Sequence, residues 1–137
     1  MAVEVQRKVD FSMVDMANVA YYPRIYDLAH KVFEDAWPLM CSVSYPELVN
    51  VRRIGFPVAS ITSTFLAPLL YGDVITATIQ IASLGTTSLG WKFEFRNQRN
   101  ETVWRSEQMT VCVSMDTMEK QSIPADLRQG LKEHLMA

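Results

Sequence analysis

One amphipathic segment, from Pro23 to Trp37, most strongly constrains how this chain can fold. Its apolar side chains recur at three- and four-residue spacing, which predicts a helix with one buried face. Pro23 suits the first helical turn, where its missing N–H costs no hydrogen bond, and Pro38 is expected to end the helix. Leu28 is expected at the edge of the buried face. The inward-facing residues are Ile25, Tyr26, Ala29, Val32, Phe33 and Ala36.

Segments with alternating apolar and polar residues flank this helix and predict half-buried strands. One, from Val3 to Phe11, precedes the helix; four follow the connection Leu39–Phe56, in which a short helix is expected near Pro46–Val49. The later strands lack crossovers of a dozen or more residues, so we predict an antiparallel sheet covered by the helix, an α+β fold. A short helix in which Leu127, Leu131 and Leu135 stand four apart closes the chain. The four later strands are Val58–Leu66, Val74–Ala82, Ser88–Arg96 and Thr102–Met115.

Length, composition and charge are typical of a single globular domain. With 137 residues, 49% of them hydrophobic, and a net charge of −2, the chain is expected to form a single domain over residues 1–137. It has no basic stripe for nucleic acid, and its longest apolar run, Phe65–Tyr71, is too short to span a membrane. The N-terminus shows no signal peptide, and the two cysteines form no CxxC pair. A cytoplasmic protein is therefore expected.

Several kinds of catalytic site are excluded by residue content. The only histidines, His30 and His134, lack metal-ligand spacing, so no metal is expected, and no phosphate-binding glycine motif occurs. Cys41 has no obvious base to activate it. Glu34 falls on the charged face of the long helix, where a solvated side chain is the normal interpretation. Trp91 and Trp104 are expected in the core rather than against a ligand.

Asp15 is the strongest candidate for a catalytic group. It lies in the loop before the helix, where N–H groups without acceptors and the positive end of the helix dipole are found. An Asp in such a loop most often caps the helix or is simply solvated. Here its neighbours are mostly apolar, a setting that can hold a carboxylate close to a substrate. These neighbours are Met13, Val14, Met16, Ala17, Val19 and Ala20.

The residues around Asp15 also carry a family resemblance. The segment Phe11–Pro23, FSMVDMANVAYYP, resembles the signature of the 4-hydroxybenzoyl-CoA thioesterase-like branch of the hotdog fold. The aspartate, a small residue, an apolar pair and an aromatic residue before the helix come in the expected order. The likeness covers most of the chain. Its later positions are Gly55–Val58, Tyr71–Asp73, Gly85 with Ser88, and Ile123–Leu127.

The resemblance implies a hotdog fold, in which an antiparallel sheet wraps around one long helix, and hydrolysis of an acyl-CoA thioester to free acid and CoA, with no cofactor. It implies that Asp15 is the catalytic carboxylate, acting as nucleophile or as general base. The backbone N–H of Tyr22 would hold the thioester carbonyl oxygen. The family also implies a homodimer or homotetramer with the active site at the dimer interface.

By the same resemblance, the substrate-binding residues come from the Asp15 loop, the strand Val58–Leu66 and the turn Leu84–Ser88. Asn18 stands where the family often has Gly, and because Asn tolerates a positive φ we expect the turn to be retained. Ser63 and Thr64 are also ordinary strand residues. The substrate-binding residues implied are Asn18, Val19, Ser63, Thr64, Gly85, Thr86, Thr87 and Ser88.

Three alternatives to an acyl-CoA thioesterase are considered, and the sequence argues against the third. The basic residues that some relatives place near the CoA phosphates are missing around Gly85, so the substrate could be carried on an acyl carrier protein. Arg52, Arg53, Arg96 and Arg99 could replace them. The chain could also be a binding module for acyl thioesters in which Asp15 only caps the helix. A hotdog dehydratase needs a histidine where this chain has Tyr22, which argues against that branch. The acyl group itself is not specified.

Overall fold

A computed structural model describes residues 2–136. These residues form seven strands and three α-helices, with a short 3₁₀ turn, Phe11–Met13, after the first strand. The strands are β1 Val3–Lys8, β2 Ile54–Gly55, β3 Val58–Phe65, β4 Val74–Leu84, β5 Ser88–Arg96, β6 Thr102–Val111 and β7 Val113–Ser114. The helices are α1 Tyr22–Cys41, α2 Tyr45–Asn50 and α3 Ala125–Lys132.

The main sheet has five strands in the order β1-β4-β5-β6-β3, and every neighbouring pair is antiparallel. The predicted α+β architecture is therefore confirmed. The hairpins β4–β5 and β5–β6 follow the chain, whereas β3 crosses to the far edge of the sheet, where it pairs with β6. β2 and β7 form a separate two-stranded sheet.

Helix α1 lies against the apolar face of this sheet and supplies the centre of the core. Its buried side chains fall at three- and four-residue spacing, and three of the expected members, Ala29, Val32 and Ala36, are at most 3% exposed. The prediction for Leu28 was wrong, because it stands three residues after Ile25 on the same face and is only 3% exposed. Tyr26 is instead half-buried, at the edge of the helix that faces β3.

The C-terminal end of α1 also differs from the prediction, since the helix runs through Pro38 and ends at Cys41. Pro38 has no N–H for the carbonyl four residues earlier, which normally favours termination. Here tertiary packing outweighs that loss, because Met40 is buried and helix α3 packs on the last turn. Ser42 then ends the helix in the left-handed conformation, with φ of 57°.

The inner face of the sheet is apolar on β4 and β5, as expected from their alternation. On β6, where the alternation would place Met109, Val111, Val113 and Met115 on one face, the buried residues instead include Trp104, Ser106 and Thr110, and Met109 is only half-buried. Hydrogen bonds compensate these inward hydroxyls: Ser106 Oγ donates to the Thr62 carbonyl, and Thr110 Oγ1 accepts from Trp91 Nε1. The predicted strand Thr102–Met115 is also broken after Val111, where the chain leaves the main sheet.

The ends of the chain show two smaller differences. Phe11 lies beyond β1 in the 3₁₀ turn and is 76% exposed rather than part of the strand. Leu135 lies beyond α3, so only Leu127 and Leu131 are buried from that helix. Within residues 2–136, no helix combines the length and the apolarity needed to cross a membrane.

Candidate active site

Asp15 lies at the tip of a tight turn rather than at the start of helix α1. The turn is closed by a bridge between Val14 and Ala20, and the Asp15 N–H donates to the Val19 carbonyl at 3.2 Å. One carboxylate oxygen, Oδ1, accepts from the Ala17 N–H at 2.8 Å. Such a side-chain turn preorganises the loop and fixes the direction of the carboxylate. The Asp15 side chain itself is exposed.

Asn18 gives this turn its shape. Its φ is 63°, in the left-handed region that Asn tolerates better than most residues, so the predicted compatibility with a position often held by Gly is confirmed. The Asn18 carbonyl also accepts from the Tyr71 N–H, and Val19 forms a bridge with Leu70. The Asp15 turn is thereby attached to the segment between β3 and β4.

Helix α1 begins at Tyr22 without a side-chain cap. Its N-cap residue is Tyr21, whose side chain makes no capping hydrogen bond, and Asp15 does not take that role. The first N–H groups of a helix have no intrahelical acceptor and lie at the positive end of the dipole. Because Pro23 has no N–H, Tyr22 carries the first such donor of this helix. Asp15 therefore does not cap α1.

An apolar cavity of about 390 Å³ opens beside this uncapped end. Tyr22 and Ile25 form its helical wall, and Phe65 and Leu66 at the end of β3 lie opposite. Ala20, which closes the Asp15 turn, also lines it. Asp15 and Tyr22 therefore lie at the same end of α1, and Asp15 lines a separate, neighbouring pocket with Val14 and Asn18. The remaining lining residues are Ala67, Pro68 and Leu69.

Ser63 and Thr64 point to opposite faces of β3. Thr64 is exposed on the outer face of the sheet, away from α1. Ser63 faces the helix, where its Oγ accepts from the Tyr26 hydroxyl and donates to Ser106 Oγ, both at 3.0 Å. Both hydrogen bonds of the Ser63 hydroxyl are therefore made to protein side chains, and Ser63 lies beside Tyr26, one helical turn after Tyr22.

The turn Gly85–Ser88 lies at the other end of the sheet from Asp15. β4 starts beside Lys8 and ends beside Leu89, a strand of 11 residues, or about 33 Å. All four carbonyls of this turn already accept hydrogen bonds: Gly85 from Arg128, Thr86 from the Ile123 N–H, Thr87 from the Cys112 N–H and Ser88 from the Gly85 N–H. Within one protomer, Gly85, Thr86, Thr87 and Ser88 are not brought together with Asp15.

The four arginines considered for the CoA phosphates are all engaged by acids. Arg52 pairs with Asp126, Arg53 with Asp116, Arg96 with Glu94 and Arg99 with Glu101. All four are at least 30% exposed on the side chain, so an incoming phosphate would compete with weak surface pairs rather than buried ones.

Other candidate residues have structural roles. Trp91 and Trp104 are at most 1% exposed, as expected for core residues. Glu34 lies 3.5 Å from His30 on the outer side of α1. Burial, with a smaller contribution from the Asp126 charge, raises the pKa of Cys41 to about 11, which leaves it a poor nucleophile. In the described part of the chain, no three His, Cys, Asp or Glu side chains group as a metal site would require.

Sequence reasoning did not identify Tyr26 as part of the site. Its hydroxyl bonds to Ser63, and its ring contacts Phe65 and Trp104 at centroid distances of 6.3 and 5.9 Å. The helical periodicity predicted a core position for it, and so did not reveal that Tyr26 lies half-buried at the edge of α1 that faces β3. A tyrosine among core positions that otherwise carry no polar group was the available signal, because a buried hydroxyl needs a partner.

Comparison with known proteins gives the family. The profile of the thioesterase-like superfamily matches residues 7–131. The chain is 25% identical over 127 residues to 1,4-dihydroxy-2-naphthoyl-CoA hydrolase of Thermosynechococcus vestitus, covering 93% of this chain and 86% of that protein.

Solved structures agree on the fold. A gentisyl-coenzyme A thioesterase superposes with a TM-score of 0.83 at 23% identity, covering 92% of this chain and 99% of that one. A Staphylococcus aureus protein in complex with CoA gives a TM-score of 0.87 at 16% identity, covering 98% and 84%. The predicted hotdog fold and thioesterase class are confirmed: this chain belongs to the thioesterase-like superfamily.

Proposed function

We propose that this protein hydrolyses acyl-CoA thioesters to the free acid and CoA, with Asp15 as the catalytic carboxylate and the Tyr22 N–H as the donor to the carbonyl oxygen. The observation that carries the proposal is the uncapped start of α1, which opens on an apolar cavity beside the turn that presents Asp15. The relatives named above act on CoA thioesters, which supports the choice of carrier.

The proposed chemistry needs only these two groups and water. A hydrogen bond from Tyr22 N–H, aided by the helix dipole, stabilises the negative charge that develops on the thioester oxygen. As a nucleophile, Asp15 attacks the carbonyl carbon, the C–S bond breaks, CoA leaves as thiolate, and water hydrolyses the mixed anhydride. As a general base, Asp15 removes a proton from the attacking water, and that proton reaches the departing thiolate. No step requires a cofactor or metal.

The names of the relatives indicate the class of acyl group. Aromatic acyl groups are the first choice because the relatives' names specify a dihydroxynaphthoyl and a gentisyl group. An acyl carrier protein remains the alternative carrier. We place the reaction in the cytoplasm, where the half-buried Cys41 and the buried Cys112 stay reduced, and assign it to one domain spanning residues 1–137.

We further propose that two protomers pair along β3. This strand lies at the edge of the sheet, and seven of its eight residues are exposed, including Val58, Ile61 and Phe65. A long edge strand with exposed apolar residues favours pairing with another chain. Antiparallel pairing across a two-fold axis would place the Val58 end of one β3 beside the Phe65 end of the other.

This pairing would also complete the site. The Gly85–Ser88 turn lies at the Val58 end of the sheet, since Ser88 pairs with Val111 and Val58 with Thr110. Tyr22 lies at the Phe65 end. A homodimer would therefore bring that turn of the second copy toward Tyr22, where it can contact the CoA arm. A homotetramer would be two such dimers.

The experiment that tests the proposal is the substitution Asp15→Asn, assayed for release of the CoA thiol from a panel of aromatic and straight-chain acyl-CoA substrates. Asn keeps the oxygen that accepts from Ala17 N–H, so the turn is expected to fold normally. We expect kcat to fall by ~10²–10⁴ while affinity for a non-hydrolysable acyl-CoA analogue is unchanged. Asp10→Asn is the matched control, because Asp10 is an exposed acid five residues away that pairs with Ser12.

Each outcome separates the candidate functions. If Asp15→Asn retains activity within about threefold of wild type, Asp15 is not the catalytic group. If the wild type binds acyl-CoA but hydrolyses no member of the panel, the chain is a binding module, a function favoured by the structural hydrogen bond between Asp15 and Ala17. A transient acyl-enzyme captured by rapid quench would identify the nucleophilic route.

A further inference from the structure

Two apolar cavities lie along α1, and together they are called the groove below. The first, described above, adjoins Tyr22. The second, of about 270 Å³, lies further along the helix between α1, α2 and the start of β3. Its walls include Ala29, Phe33, Tyr45 and Ile61. Both cavities face β3, on the side of the molecule where the proposed site opens.

Tyr26 and Phe65 stand where the two cavities meet. Phe65 lines the first cavity and Tyr26 lines the second. Their rings contact each other edge to face, at 6.3 Å between centroids and 87° between planes. Both rings also pack on the buried Trp104, at 5.9 Å from Tyr26 and 6.4 Å from Phe65. The pair forms an aromatic wall across the groove.

The Tyr26 hydroxyl is anchored by a chain of hydrogen bonds. It donates to Ser63 Oγ, Ser63 donates to Ser106 Oγ, and Ser106 donates to the Thr62 carbonyl, each at 3.0 Å. Gln108 Nε2 also donates to Ser106 at 3.3 Å. A chain that ends on a backbone carbonyl of the sheet restricts rotation of the Tyr26 side chain.

The distance from the proposed oxyanion donor to this wall is short. Tyr22 and Tyr26 are four residues apart, which corresponds to about 6 Å along the helix axis. That length accommodates an aromatic ring or a short acyl chain. A long chain would have to continue past Tyr26 toward Phe33, about 16 Å from Tyr22 along the axis.

We propose that Tyr26 determines acyl specificity: with Phe65 it closes the groove beyond the first cavity and restricts the enzyme to compact acyl groups. Ser63 is a positioning residue that holds the Tyr26 hydroxyl and does not itself contact the substrate. This inference rests on the proposed thioesterase function, because it takes Tyr22 as the position of the thioester carbonyl. It gives Ser63 a role different from the direct substrate binding expected from the sequence.

The test compares kcat/KM for benzoyl-CoA and palmitoyl-CoA in four proteins. Wild type is expected to prefer benzoyl-CoA. Tyr26→Ala joins the two cavities and should raise the palmitoyl-to-benzoyl ratio at least about tenfold. Tyr26→Phe keeps the ring but loses the anchor, so a smaller shift, of about two- to fivefold, is expected. Ser63→Ala should reproduce the Tyr26→Phe shift, mainly through KM for palmitoyl-CoA, because the attacking groups are untouched.

A double variant separates positioning from simple loss of packing. If Ser63 acts only through the Tyr26 hydroxyl, Tyr26→Phe with Ser63→Ala should shift the ratio no further than either change alone. Thr62→Ala, on the outer face of the same strand, is the control and should leave the ratio unchanged, because only the backbone carbonyl of Thr62 takes part in the hydrogen-bond chain. Thermal unfolding confirms that each variant is folded.

The results distinguish this inference from the function on which it rests. A wild type that prefers palmitoyl-CoA, or a folded Tyr26→Ala variant whose ratio stays within about twofold of wild type, overturns the role of Tyr26. If the wild type hydrolyses neither substrate, the thioesterase function fails. The affinities of thioether analogues of the two acyl-CoAs then replace kcat/KM in the same comparison, and an unchanged affinity ratio in Tyr26→Ala overturns the inference independently.

Discussion

The two ends of helix α1 are built in opposite ways. At the C-terminal end, Trp37 and Met40 are buried, and helix α3 approaches so closely that a side chain at Gly130 would contact the Met40 carbonyl oxygen. At the N-terminal end, Tyr21 and Tyr22 are 45% and 66% exposed, and no side chain caps the helix. One end is thus completed by packing within the protomer, and the other is left open.

The difference indicates that one end of α1 contributes mainly to stability and the other mainly to function. The packed end holds α1 against the sheet through close contacts that tolerate no extra volume. The open end leaves hydrogen-bond donors and apolar surface available, which costs stability but suits substrate binding and association. Substitutions at the packed end should therefore change stability, and those at the open end should change activity or assembly.

The largest expected effect is at the open end. Tyr22→Pro removes the N–H proposed to bind the thioester oxygen, while proline is well tolerated at the first position of a helix. Loss of one such donor should lower kcat by ~10²–10³ with little change in thermal stability. Tyr22→Ala is the matched control, because it removes the same ring but keeps the N–H. Equal losses of kcat in the two variants would show that the side chain, and not the N–H, matters.

The second prediction compares variants of the edge strand β3 and the interior strand β4 by their ability to form a dimer. Light scattering at micromolar concentration should find wild type as a dimer at least, and a purely monomeric species would contradict pairing along β3. Ile61→Arg, on the exposed edge strand, should weaken the dimer at least about tenfold because a charge would be buried in the interface. Thr76→Arg, on the outer face of the interior strand β4, should remain dimeric. A dimer retained in Ile61→Arg would place the interface elsewhere.

The contrast between the two ends also explains what sequence alone could predict. Local patterns determine the α1 face and the inward residues of β4 and β5, because the periods of helix and strand come from the backbone itself. The path through Pro38 was not predictable, since burial of Met40 and contact with α3 outweigh the missing hydrogen bond. These contacts join residues far apart in the chain.

In the candidate site, too, some features follow from local sequence and others depend on contacts between distant residues. The Asp15 turn and the positive φ of Asn18 follow from local residue types and were accessible from sequence. The link from Tyr26 to Ser63 was not, because it depends on β3 pairing with β6 rather than with β4, its neighbour in the chain. The separation of the Gly85–Ser88 turn from Asp15 likewise depends on sheet register, which no local motif specifies.

The smallest effect is expected at the packed end, where the sign of the change in the free energy of unfolding is informative. Gly130 lies inside helix α3, where replacing Gly by Ala usually stabilises a helix by about 1 kcal/mol. Here the added methyl group would meet the Met40 carbonyl oxygen and lie 3.1 Å from Cys41 Sγ.

Gly130→Ala should therefore destabilise the protein by about 1–3 kcal/mol, since backbone atoms of α1 cannot move aside without disturbing the core. Thermal and denaturant unfolding measure the change, with Gln129→Ala, at the exposed preceding position of the same helix, expected to stay within about 0.5 kcal/mol of wild type. The activity of a folded Gly130→Ala variant should be close to wild type. A stabilised Gly130→Ala variant would mean that α3 can shift on α1 at little cost, and the packed end would then not be the rigid support that holds the open end in place.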